Sequence, residues 1–167
     1  AANNTVTGVA SMYHNSTGSN NTCYGFNAGA YNTTGANNVG IGSYALAAYG
    51  GSGSAFQTAS NNTALGYYAL YKNQTGDDNV AIGVKKLDAN TSGNYNTGLG
   101  SWTLGANTTA NYNVAVGYNG LNLNTTGTQN IAVGALALDH NTTGNNSVAV
   151  GHAALSAAKT SSTQTAI

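Results

Sequence analysis

The sequence predicts an all-β fold, a parallel β-roll or β-helix solenoid built from 17-residue coils. Three observations carry this. A glycine preceded by a small and then an apolar residue recurs at Gly8, Gly25, Gly42, Gly66, Gly83, Gly100, Gly117, Gly134 and Gly151, spaced by 17 everywhere except for one interval of 24. Apolar residues lie one and three positions before that glycine with a small residue between them, the period of two that a short strand requires. Variants of Asn-Thr-Thr-Gly then close each coil, with residues that suit tight turns. A helical solenoid is the competing fold, but 17 residues are too few for its two-helix unit, and β-branched columns with abundant glycine oppose it.

Each element follows from its column. One residue before the glycine stand Tyr24, Ile41, Leu65, Ile82, Leu99, Val116, Val133 and Val150; three before it stand Val39, Val80, Val114, Ile131 and Val148, with threonine in other coils. Between them lie Cys23, Gly40, Ala64, Ala81, Gly98, Ala115, Ala132 and Ala149, which completes a strand with two faces. Four residues after the glycine comes Met12, Leu46, Leu70, Leu87, Leu104, Leu121, Leu138 or Leu155, where a second short strand fits. Coils stacked about 4.8 Å apart would give a rod on the order of 40 Å long. Residues 1–167 read as a single repeat domain of about nine coils, with the extra seven residues in an inserted loop near 47–60. The chain starts in mid-turn and stops in mid-repeat, so we expect a window of a longer fibre, or ends completed by a neighbour.

Composition narrows the function. Only 5% of residues are charged and the formal net charge is zero, which opposes a nucleic-acid binder or a polybasic membrane-surface protein. Cys23 is the single cysteine, leaving no intrachain disulfide and no cysteine-based zinc set. No apolar run approaches the roughly 20 residues of a membrane span, and the first residues carry no signal-peptide pattern. Glycine numbers 23 and proline is absent, a composition often disordered, but a disordered tract has no reason to keep a period.

A coil this small encloses a thin core, two or three apolar side chains per coil. Here the small-residue column is read as facing outward, as a flat Ala-lined stripe that suits close approach of another copy. The expectation is a homo-oligomer around the fibre axis, with a trimer preferred; the alternative turns the alanines inward and leaves a monomer.

The phrase Asn-x-Ala-(Val/Ile/Leu)-Gly-x-x-Ala-Leu-x-x-Asn-Thr-Thr-Gly resembles repeats of phage tail-fibre-like proteins and bacterial surface fibres. More loosely it is similar to the head repeats of trimeric autotransporter adhesins, through the strand from Asn146 to Gly151. The resemblance covers nearly the whole chain apart from the inserted loop. It implies an extracellular, cell-surface or virion-borne trimeric β-roll used for attachment. The departures are the 17-residue period, longer than the adhesin head's, and the lack here of a coiled-coil stalk, membrane anchor or chaperone domain.

Candidate sites are few. Asp77, Asp78, Asp88, Asp139, His14, His140 and His152 form no recurring pair, and no Gly-x-Ser-x-Gly or His-Glu-x-x-His occurs, so no catalytic residue, metal site or cofactor is expected. Asp139-His140 reads as a solvated turn. Asp77-Asp78 stands alone, unlike the regular Asp ladder of calcium-binding rolls. Asn15, Asn32, Asn73, Asn90, Asn107, Asn124 and Asn141 match the N-glycosylation pattern, although turn geometry explains the same column. Receptor-contact candidates are aromatic: Tyr44, Tyr67, Trp102 and Tyr118 follow the glycine together with Phe26 and Tyr68, Tyr95 and Tyr112 lie in the polar turn, and Tyr49 and Phe56 lie in the inserted loop. Covering neighbouring coils is the competing role, favoured for Tyr68 and Trp102. Residues 47–60 are the preferred specificity loop.

The expected function is a non-enzymatic adhesive or structural extracellular fibre that contacts itself and a glycan or protein receptor. A purely mechanical self-assembling filament is the first alternative. An ice-binding solenoid is the second, drawn from the stacked Thr and Asn columns.

Overall fold

The computed structural model describes residues 2–49 and 56–167. Among these, ten strands and no helix occur: β1 (Thr5–Thr7), β2 (Thr22–Tyr24), β3 (Val39–Ile41), β4 (Thr63–Leu65), β5 (Val80–Ile82), β6 (Thr97–Leu99), β7 (Val114–Val116), β8 (Ile131–Val133), β9 (Val148–Val150) and β10 (Thr165–Ala166). They form one parallel sheet in sequence order. Like pairs with like, Val114 with Ile131 and Ala115 with Ala132, and across the 24-residue interval Val39 still pairs with Thr63. The insertion therefore leaves the sheet in phase. Its middle, residues 50–55, lies outside the described residues.

The faces are the reverse of the outward-alanine expectation. Ala64, Ala81, Ala115, Ala132 and Ala149 are wholly buried, whereas Ile41, Ile82 and Ile131 stand 38–41% exposed. The space behind each strand is already taken by the leucine column, so a methyl fits there and a branched side chain does not. Alternation then sends both Val/Ile columns to the outer face. A continuous core of these alanines with Leu46, Leu70, Leu87, Leu104, Leu121 and Leu138 runs along the rod. Met12, Cys23 and Ala28 make a separate cluster at its start.

The second strand expected at the leucine column does not form. Residues two and four after the glycine hold left-handed backbone: Trp102 and Leu104 have φ of 62° and 52°, Leu136 and Leu138 61° and 50°. Alternating left-handed residues wind the segment into consecutive turns. Each non-glycine there costs roughly 1–2 kcal/mol locally, and burial of a leucine side chain, worth about 1.5–3 kcal/mol, offsets it. Bonds between coils hold the turns in place: the N–H groups of Leu104, Leu121 and Leu138 donate to the carbonyls of Gly120, Ala137 and Ala154 at 3.0–3.1 Å.

Two buried asparagine ladders close the other side. The residue before each strand (Asn38, Asn62, Asn79, Asn96, Asn113, Asn130) accepts through Oδ1 the backbone N–H of its counterpart in the next coil, as Asn113 does from Asn130 at 3.0 Å. Its Nδ2 donates to the carbonyl that ends the next turn, as Asn113 does to Gly127 at 2.8 Å. The Asn of Asn-Thr-Thr-Gly donates to that same carbonyl from within its own turn, Asn124 to Gly127 at 2.8 Å, and to the preceding coil, Asn141 to Asn124 Oδ1 at 2.9 Å. Its role is thus hydrogen bonding. Positive φ falls instead five residues before the strand-end glycine, at Asn20, Asn37, Tyr95, Tyr112 and Gln129. At coil 3 Gln57 stands opposite Asn32, and the ladder breaks: Asn32 Oδ1 and Gln57 Nε2 are buried without partners.

Candidate functional site: an aromatic cleft on coils 1–4

Stacking places one column over another, so an aromatic residue recurring in one phase becomes a row of rings. Five residues after the strand-end glycine stand Tyr13, Ala30, Ala47 and Tyr71 in coils 1–4, rings at the two ends and buried alanines between. Six after it stand His14 and Tyr31, which stack with centroids 5.0 Å apart and planes at 20°. Tyr49 stacks on Tyr71 at 5.9 Å and meets Tyr31 edge-on at 6.0 Å. Tyr44 stacks on Tyr68 at 5.0 Å, and Tyr68 lies 4.3 Å from Tyr71. These rings enclose a cleft of about 420 Å³, floored by Ala30 and Ala47, with Asn27 on its wall. Four coils span about 14 Å along the axis, from three intervals of about 4.8 Å.

No charged aspartate or lysine lines the cleft among the described residues. Burial pushes the Tyr71 phenol up to about 12, helped by the neighbouring phenols of Tyr68, Tyr49, Tyr44 and Tyr31. Burial raises Tyr68 in the same direction, with Tyr67 next in effect. Both hydroxyls therefore stay protonated at neutral pH and can donate as well as accept. The surface thus combines apolar ring faces with neutral hydroxyl, amide and imidazole edges.

The structure gathers some sequence candidates here and leaves others apart. Tyr44 and Tyr49 line the cleft. Phe56 borders it through His14, ring centroids 6.0 Å apart, and Tyr67 packs edge-on against Tyr68 at 4.3 Å. Trp102 lies elsewhere, 5.0 Å beneath Lys85 Nζ in a cation–π contact. Tyr95 and Tyr112 form an exposed stack at 4.9 Å and 5°, and Tyr118 stands 53% exposed in coil 7. Sequence reasoning did not select Tyr13, His14, Tyr31 or Tyr71. Their signal was phase: all four fall five or six residues after the glycine, within the first four coils.

Other candidates acquire structural roles. Asn32, Asn73, Asn90, Asn107, Asn124 and Asn141 are at most 3% exposed and spend Nδ2 on the ladder, so a glycan has no place on them in the folded coil; Asn15 is half-buried and donates to Gly18. Asp77 Oδ1 accepts the Ser60 N–H at 2.7 Å, an acceptor within the stack. His140 Nδ1 lies 3.1 Å from Asp139 Oδ1, with the His140 side chain 54% exposed on the turn surface. Thr91, Thr108, Thr125 and Thr142 hydroxyls donate to carbonyls of the next coil. Cys23 is buried, and burial pushes its thiol up to about 11 against a smaller opposing effect of the Gly40 backbone. No family model, curated protein or solved structure matches this chain.

Proposed function

We propose that this chain is a non-enzymatic attachment segment of an extracellular fibre, on a cell surface or a virion, whose copies associate side by side. The observation that carries the reading is a ladder-locked, nearly uncharged rod displaying exposed aromatic rings on its turns. Rigid scaffolds that present such rings on turns suit recognition of another surface. Self-association has its own support. The outer sheet face carries eighteen outward side chains from β1–β9, mostly Val, Ile, Leu and Thr, with no charge among them. A standard protein interface uses about 20–30 residues a side, so these eighteen together with flanking turn residues approach the size that seats another copy, with a trimer as the preferred state.

Two measurements test this. Sedimentation should give a multiple of the 16.7 kDa chain mass. Val116→Asp with Val133→Asp should return it to monomer, because charge on that face cannot be buried unpaired. Fluorescently labelled protein should bind intact cells of some bacterial or eukaryotic type. A chain that stays monomeric and binds no cell surface overturns the reading. Open-ended filaments under the electron microscope would favour a mechanical polymer, and thermal hysteresis would favour ice binding.

A further inference from the structure

We infer that the cleft on coils 1–4 is a binding site for a neutral oligosaccharide lying along the rod axis. This deepens the attachment reading and rests on it. Sugars present alternating demands: an apolar face of C–H groups and a rim of hydroxyls that both donate and accept. The cleft answers each. The rings of Tyr31, Tyr49 and Tyr71 give the lining its apolar surface, and the phenols with Asn27 and His14 supply the polar edge. Its volume of about 420 Å³ lies within the range of small-ligand sites.

Three features select this occupant over others. No lysine lines the cleft and His14 is the single lining residue able to carry positive charge, so an acidic glycan gains little there to offset the loss of its hydration. The cleft is built from neighbouring columns that repeat coil by coil about 4.8 Å apart, and linked pyranose rings follow one another at a similar interval. Tyr13 and Tyr71 mark the ends while Ala30 and Ala47 leave the middle open, the shape that a short linear oligomer fills and a single flat ring does not. Later coils lack the set: the corresponding residues are Asp88, Gly105, Asn122 and Asp139.

The test is an array of neutral oligosaccharides (gluco-, manno-, galacto- and N-acetylglucosamine oligomers) beside sialylated and sulfated ones, followed by titration calorimetry with the best neutral binder. Labelled-cell binding is measured in parallel on the full chain. Tyr49→Ala should weaken the neutral sugar about three- to tenfold, the loss of one ring contact. Tyr112→Ala, outside the cleft, should stay within about twofold. Far-UV circular dichroism confirms that each variant keeps the sheet. Binding of neutral sugars that Tyr49→Ala leaves unchanged overturns the inference, as does binding to acidic glycans alone. Cell binding without any neutral sugar bound also overturns it while leaving attachment standing; neither cell nor sugar binding overturns both.

Discussion

Asn113→Ala tests the energetic basis of the fold. Asn113 is wholly buried; its Nδ2 donates to Gly127 O at 2.8 Å and Asn96 Oδ1 at 3.3 Å, and its Oδ1 accepts the Asn130 N–H at 3.0 Å. Two of the partners keep another bond after truncation. Gly127 O still receives Asn124 Nδ2 at 2.8 Å, and Asn96 Oδ1 still receives the Asn113 backbone N–H at 3.1 Å. The Asn130 N–H is left orphaned in the interior, a penalty of about 1–3 kcal/mol. The void from the lost amide adds up to about 1 kcal/mol, so the expected loss is roughly 1–4 kcal/mol. Urea unfolding followed by circular dichroism reads it as a lower midpoint at unchanged slope. Hydrogen exchange should show lost protection at the Asn130 amide. Thr126→Ala, exposed in the same coil, serves as the control and should stay within about 0.5 kcal/mol. Asn113→Asp keeps the acceptor but turns an oxygen toward Gly127 O. It should be at least as destabilising at pH 7 and recover as pH falls, because burial raises its carboxyl and protonation restores a donor. An Asn113→Ala change no larger than that of Thr126→Ala would refute the ladder as a source of stability.

Further predictions follow the same columns. Ser147 occupies the ladder column and meets Gln164 N–H at only 3.3 Å, so Ser147→Asn should raise stability by about 1 kcal/mol in the same urea assay. Gly117→Ala places a Cβ 2.7 Å from Gly134 O on a backbone with φ of +129°, whereas Gly151→Ala meets nothing within 4 Å at φ +126°. Both should destabilise, but Gly117→Ala by several kcal/mol and Gly151→Ala by about 1–2 kcal/mol, the backbone share alone. Lys86 stands in the inward column with its Nζ donating to Val84 O at 2.7 Å, and burial pushes it down to about 8 against the weaker pull of Asp88. Lys86 then makes the folded state hold fewer protons than the unfolded one between 8 and the ordinary 10.5, so stability should climb from pH 8 to about 9, above which the raised Cys23 thiol opposes it. Lys86→Met should flatten the climb, and an unchanged slope would show that Lys86 is not its source. Above pH 10 the raised Tyr71 acts in the opposite sense, and its contribution is lost toward 12.

Much of the architecture was legible because a solenoid writes its geometry as a period. The nine glycines located the strands, and the register Val114–Ile131–Val148 runs like upon like as the columns require. Which strand face turns inward was not legible. An alternation of branched and small residues marks two faces without naming the buried one, and the usual preference for burying valine misleads where leucine already fills the coil. The leucine column hid its conformation for a related reason: apolar spacing reports burial, and buried leucine serves a left-handed turn as well as a strand. The asparagine column looked like turn chemistry or glycan sequons, and only its burial shows a continuous hydrogen-bonded wall.

The cleft marks the same boundary. Sequence alone determined the period, the parallel stack, the site of the insertion and the near absence of charge, since each depends on residues near one another in the chain or on composition. Tertiary structure decided the inward alanines, the outward Val/Ile face and the meeting of His14, Tyr31, Tyr49 and Tyr71, residues from four coils. Those depend on how side chains of different volume share one narrow interior, and on rings separated by one or more coils of chain being brought within about 6 Å by the stacking distance.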